Sequence, residues 1–497
     1  MTEYQFVALL LASIGPLLAL ARLLRAPESL VLFGVGLGSA FLPGLPPVRV
    51  DPQLLLNLFL PPLVYASTVR VSWLLLRFTL LPGAILGALL VLATIGAVAA
   101  AAHLVFLPGL SWTGSLLLGV VAAVFDTRLF HEAKGRPHVP RAIADTLKAR
   151  ELVARVVILA TFGLILEGTA AERFSIGAVL NHYALDIPAG ALLGALIGQV
   201  VVWARRRIDP APVEIAVSIS TPYASALAAY ALGLSVVAAI TMAALVISAL
   251  RIDRRTGAPI SSSETRVSAT AFWEQVSLMV SSALFFLAGR ALPDALGGLQ
   301  IWPVWVVALC AVGVLAVVLI LQFAFAYLAT GLQPIANALD GGRGDGNPRL
   351  ATAGVMAWSC TRSTIGLVIA LSIPATLPGG QPFHERDLIL AVAALTIIGS
   401  VLMQGLTLRH FIDRAALRDD AEEEREESEA RQAIEIALAK PGREHANGFD
   451  AARQALLKLR ERDRIGDAVL VRMLRETDLT SRAAEGDALP GAGPPNP

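Results

Sequence analysis

The stretch LKARELVARVVILATFGLIL, running from Leu147 to Leu166, decides how the rest of the chain is read. Its second half is apolar enough to sit in a bilayer, yet Lys148, Arg150, Glu151 and Arg155 crowd its first half. An ionised side chain at the centre of a membrane helix costs roughly 2.5 to 3.5 kcal/mol on insertion scales. Each of these charges therefore calls for a partner, a water-filled cavity or a task. Glu151 and Arg155 lie four residues apart in the order that favours an ion pair on one helical face.

Working outward, the surroundings of this stretch are those of a membrane protein. The 497 residues are 55% hydrophobic and only 16% charged, and the mean hydropathy is +0.66, too apolar for a soluble chain of this length. The formal net charge of +1 hides a dense acidic run from Asp419 to Glu429, so net charge points to no nucleic-acid partner. Cys310 and Cys360 stand alone in apolar surroundings and suggest neither a disulfide framework nor a thiolate metal site.

At about 20 apolar residues per span, candidate spans fall near 4–24, 29–43, 53–68, 78–106, 112–130, 148–167, 187–204, 213–233, 235–250, 271–291, 302–330, 351–375 and 387–410. That predicts about thirteen transmembrane helices. The first lacks a basic leader and a small-residue cleavage site, and reads as a retained span. Basic residues concentrate in alternate loops: Arg22 and Arg25; Arg70 and Arg77; Lys134, Arg136 and Arg141; Arg205 to Arg207; Arg251 to Arg266; Arg343 and Arg349. By the positive-inside rule these loops are cytoplasmic, with the N-terminus outside and the C-terminus inside. The expected division is a membrane domain over 1–410 and a cytoplasmic tail over 411–497, its segment 450–479 patterned as an amphipathic helical pair and its end, 483–497, disordered.

No phosphate-cradling loop, metal cluster or nucleophile elbow is present, so neither an enzyme, an ATP-driven pump nor a cofactor is indicated. Glycines such as those of LFGVGLG (Leu32 to Gly38) read as helix-packing positions. Polar groups at membrane depth remain: Asp126, Glu151, Arg155, Glu274 and Arg362, with helix-interrupting signals at Ser220 to Tyr223 and Phe59 to Pro62. Buried charge beside broken helices points to a solute or ion pathway.

Six segments carry a resemblance: LFLPPLVYAS, SLLLGVVAAVFDT, ISTPYASALAAYALGLS, AFWEQVSLMVSSALFFLAG, WSCTRSTIGLVIALSIP and IIGSVLMQGLTL. In order and spacing they resemble the cation:proton antiporter-1 family of sodium/proton exchangers, over about residues 5 to 480. The resemblance implies an all-helical, inverted-repeat fold with broken helices. It also implies a homodimer in the cell membrane that exchanges monovalent cations for protons.

The expected ion site departs from the family pattern. The family's Thr-Asp-Pro is Phe125-Asp126-Thr127 here, and Ala154-Arg155 stands where the family has Asn-Asp. Arg150-Glu151 replaces Glu-Ser, and Ala66 replaces a common acidic residue. Asp126, Glu151 and Arg155 are thus the candidate ion- and proton-binding residues, with Thr127, Ala154, Arg362 and Thr221 supporting them. Arg362 matches the family arginine that pairs with a glutamate; that glutamate is Arg150 here, with the adjacent Glu151 able to substitute, and Arg362 reads as a structural tether. Arg155 is expected to be held by Asp126 or Glu151, standing as a built-in cation where sodium would bind and disabling ordinary exchange. The alternative to a sodium or potassium/proton antiporter is a transport-inactive homologue whose tail signals or scaffolds, or an altered-specificity homologue linked to an anion.

Overall fold

The computed structural model describes residues 3–24, 26–43, 51–69, 71, 73–127, 141–170, 177, 181–207, 211–249, 263–299, 302–339, 350–376, 382–415, 420–439, 445–462 and 464–487. The apolar runs fold as helices because a backbone in hydrocarbon must satisfy its own polar groups. The helices are α1 (Glu3–Leu23), α2 (Glu28–Ser39), α3 (Leu60–Thr68), α4 (Trp73–Ala101), α5 (Trp112–Ala123), α6 (Arg141–Ala170), α7 (Ile187–Arg205), α8 (Ala211–Ala231), α9 (Val236–Ala249), α10 (Ser263–Gly297), α11 (Val304–Leu339), α12 (Leu350–Trp358), α13 (Thr364–Leu371) and α14 (Arg386–Ala415). Three wide π-turns, Leu55–Phe59, Ala102–Phe106 and His182–Asp186, adjoin α3, α4 and α7.

Among the described residues, five helical stretches are long and apolar enough to cross a membrane: 85–106, 182–205, 268–297, 304–328 and 386–408. The core runs through α4, α5, α6, α10, α13 and α14, and α14 touches α5, α10, α11 and α13. Close packing uses the small residues the sequence singles out. On α2, Gly36 lies so near α10 that a Cβ would come 2.1 Å from the Phe286 carbonyl oxygen, and Gly289 of α10 meets the Phe33 carbonyl at the same 2.1 Å. Gly34 and Gly38 face open space, so only the middle glycine of LFGVGLG makes this approach.

Two of the predicted spans are not continuous helices, and the interruptions lie elsewhere than the sequence signals suggest. Span 112–130 is helical only to Ala123, then extended as β1 (Phe125–Asp126). Span 351–375 breaks after Trp358, extends as β2 (Thr361–Arg362) and resumes at Thr364. By contrast, α8 passes through Ser220 to Tyr223 without a break. There Ser220 and Thr221 donate to the carbonyls of Ala216 and Val217, four residues back, a bond that fits a continuous helix around Pro222. Phe59 to Pro62 likewise stays helical, its irregularity confined to the preceding π-turn.

After α14 come three helices, α15 (Asp420–Leu438), α16 (His445–Glu461) and α17 (Asp467–Asp487). They enclose a small apolar core of Ala430, Leu456, Ile465, Val469, Leu470 and Met473. Arg453 is buried there, donating to Asp478 at 2.9 Å and Asp450 at 2.6 Å. Helix α17 also packs against α10. It remains helical to Asp487, five residues into the end expected to be disordered. Residues 488–497 lie outside the described residues, as do the loop residues Lys134, Arg136, His131 and His138.

Candidate ion site at the crossing of two broken helices

The two interruptions meet. Strands β1 and β2 pair antiparallel, Phe125 opposite Arg362 and Asp126 opposite Thr361. The pairing gives each unwound segment backbone partners that its own helix no longer supplies. The remaining polar groups are stapled from neighbouring spans. Gln404 of α14 donates to the carbonyls of Trp358 (2.9 Å) and Cys360 (3.3 Å). Gln322 of α11 donates to the same Cys360 carbonyl (3.2 Å), and Ser400 accepts from the Arg362 amide (3.0 Å) while donating to Gln404. Thr361 Oγ1 donates to the Asp126 carbonyl at 3.2 Å.

At this crossing the charged residues of the 147–166 stretch find their surroundings. Glu151 and Arg155 are buried on α6 and form the expected pair one turn apart. The other carboxylate oxygen of Glu151 accepts from Thr127, from the hydroxyl at 2.5 Å and the amide at 3.2 Å. Glu151 therefore ties α6 to the end of β1. Asp126, on the unwound segment itself, is half-buried. Ala154 is fully buried and brings only a methyl group to the α6 face. Thr221 remains bonded within α8 and takes no part in the hydrogen bonds of the crossing. Glu274 is exposed on α10, and Ala66 is buried in the core.

Arg362 serves the backbone. Its guanidinium donates to the carbonyls of Ala122, at the end of α5, and Cys360, just past the end of α12 (3.2 Å). Each helix C-terminus carries about half a negative charge, so one guanidinium satisfies two helix ends. It has no glutamate partner among the described residues, because Glu151 is engaged by Arg155 and Thr127. Arg150 points its guanidinium over the Phe125 ring, 5.2 Å from the centroid, and donates to Cys360 Sγ at 2.6 Å.

The far ends of both broken spans are anchored by neighbouring residues before and at the start of α14. The Glu385 carboxylate accepts from the Ser111 amide (2.7 Å) and hydroxyl (2.5 Å) at the N-terminus of α5. Arg386 Nε donates to the Ile373 carbonyl (2.8 Å) beyond the C-terminus of α13. Each charge opposes the dipole of the helix end it meets. Sequence reading missed Glu385, Gln322, Ser400, Gln404 and Cys360. Ser400 and Gln404 sit four residues apart in the quoted IIGSVLMQGLTL segment, and a polar i, i+4 pair in an apolar span is the signal that marks them.

Among the described residues no cluster of three metal-type ligands occurs. Asp126 lies on the unwound segment next to Thr127, which Glu151 holds from α6.

Residues 9–414 match the family described as sodium/hydrogen exchanger, transmembrane. An uncharacterized Na(+)/H(+) exchanger of Mycobacterium tuberculosis is 28% identical over 405 residues, covering 79% of this chain and 71% of the relative. The Na(+)/H(+) antiporter ApNhaP of Aphanothece halophytica is 28% identical over 453 residues, covering 88% and 80% respectively. In fold, the chain matches the sodium proton antiporter MjNhaP1 from Methanocaldococcus jannaschii with a TM-score of 0.62 at 14% identity, covering 83% of this chain and 98% of that one. A match over 9–414, with the paired helix breaks inside it, places this multi-pass membrane protein in the sodium/hydrogen exchanger family.

Proposed function

We propose that the protein exchanges a monovalent cation, sodium before potassium or lithium, for protons across the cell membrane, and that Asp126 is the carboxylate through which they compete. The observation that carries this reading is the position of Asp126 on the unwound crossing, half-buried and in register with Thr361. Unwound backbone at membrane depth is tolerated where it is buried in protein or lines a water-filled cavity, and half-buried Asp126 fits the second. Glu151 is held by Arg155 and Thr127, so its role is to orient the crossing while Arg155 stands as a fixed cation. Thirteen spans, a homodimer in lipid, an outer N-terminus and a cytoplasmic tail beginning near Phe411 complete the proposal. The relatives' names support the exchange, and the alternation of basic loops supports the orientation.

The test is proton movement in everted vesicles driven by sodium, potassium or lithium. The unmodified protein should show cation-dependent flux that Asp126→Asn abolishes. The Glu151–Arg155 pair is the one observation favouring a transport-inactive homologue. That reading expects no flux from the unmodified protein, and partial activity from Ala154→Asn combined with Arg155→Asp. Reporter fusions at Leu24 and Phe411 should both report cytoplasm; a periplasmic signal at Phe411 would reverse the orientation.

A further inference from the structure

The crossing holds three buried guanidiniums, and their counter-charges are unequal. Arg155 has the Glu151 carboxylate. Arg362 has the two helix C-termini, whose partial charges sum to about one negative charge. Arg150, only 4% exposed, has a ring face and a thiol sulfur, and neither brings a formal negative charge. A guanidinium does not discharge by losing its proton as a buried lysine would. Burying an ion without compensation costs several kcal/mol even after relaxation.

Arg150 and Arg362 also converge. Both donate to Cys360, one to its sulfur at 2.6 Å and the other to its carbonyl oxygen at 3.2 Å. Each is at least nine-tenths buried, and each keeps an Nε–H with no acceptor. Neither meets a carboxylate among the described residues. Two adjacent cations with unfilled donors and one missing negative charge are the elements of an anion site.

The geometry points to a binding site for one small monovalent anion of the halide class between Arg150 and Arg362, beside Cys360. The anion supplies the charge that Arg150 lacks and fills the vacant Nε–H donors. It is a resident counter-ion of the crossing and not transported cargo. The inference does not depend on the proposed exchange activity, and its readout is stability, so a silent transport assay leaves it standing.

The experiment uses the full-length protein purified in detergent, at fixed sodium concentration, pH and ionic strength, with chloride or bromide replaced stepwise by gluconate. An anion that binds the folded state alone raises the melting temperature in a saturable way. The expected result is a rise of several degrees in chloride and in bromide. Arg150→Gln removes the unbalanced charge, and Arg150→Glu supplies an internal carboxylate beside Arg362; each should melt at the same temperature in halide and in gluconate. An unmodified protein that melts identically in both salts overturns the site, as does a folded Arg150→Gln or Arg150→Glu protein that keeps the full halide shift. Halide independence that Cys360→Ala converts into dependence would assign the counter-charge to the sulfur, and equally overturn it.

Discussion

Glu151 and Arg155 on α6, and Glu427 and Arg431 on α15, are the same local pattern: a glutamate followed four residues later by an arginine, paired on one helical face. The side chains of the first pair are 10% and 8% exposed, those of the second 27% and 57%. In the tail, each partner exchanges readily for water or for another charge, and Arg431 also lies 3.6 Å from Glu476 while Glu427 lies 3.5 Å from Arg472. At the crossing, both partners are buried, so water replaces a lost one less readily. The same two letters thus describe a solvated surface contact in one place and a buried element of the helix crossing in the other. Burial decides which.

The contrast breaks most sharply at Glu151. Removing one member of a buried pair costs about 3–5 kcal/mol, so Glu151→Ala should lower the melting temperature of the purified protein strongly. Arg155→Ala should cost less, because the remaining glutamate can take up a proton and keep its bonds from Thr127. Equal losses from the two substitutions would mean that the crossing is wet enough to behave like the tail.

A smaller effect is expected at Gln404, which staples the break between α12 and α13. Gln404→Leu leaves buried carbonyls short of a donor, a loss of about 1–3 kcal/mol. Amide exchange over 358–364 should quicken in that variant while exchange in the middle of α10 stays unchanged. Unaltered exchange across the break would show that water already satisfies it.

The smallest effects belong to the tail. Glu427→Gln should leave the melting temperature of the whole protein unchanged. Glu429 behaves differently in one respect: the paired hydrogen bonds from Arg464, at 2.6 and 3.0 Å, hold its carboxyl below the usual glutamate value. A depressed carboxylate stabilises the fold above its ordinary value, about pH 4.3, and loses that contribution as pH falls through the lower folded value. Proteolytic cleavage between α15 and α16 should therefore increase slightly below about pH 4, and Glu429→Gln should remove that step. Cleavage that does not respond to pH in the unmodified protein would show that the Arg464 contact contributes nothing.

What the sequence determined by itself is whatever depends on near neighbours. Apolar runs of span length are local statements, and the described apolar helices fall on them, although α14 runs past 410 to Ala415. The Glu151–Arg155 pair was legible for the same reason, since both residues lie on one turn-separated face of one helix. The location of the breaks was not. Proline at 222 suggested an interruption that α8 does not make, whereas the interruptions at 124–127 and 359–363 carry no proline. An unwound segment persists only where distant residues satisfy it: Thr361 reaches the Asp126 carbonyl across 235 residues, and Gln404 and Gln322 reach Cys360 from two other helices. Tertiary structure also decided the partners of Arg362: Arg155 and Thr127 hold the glutamate, and among the described residues the guanidinium donates to the ends of α5 and α12.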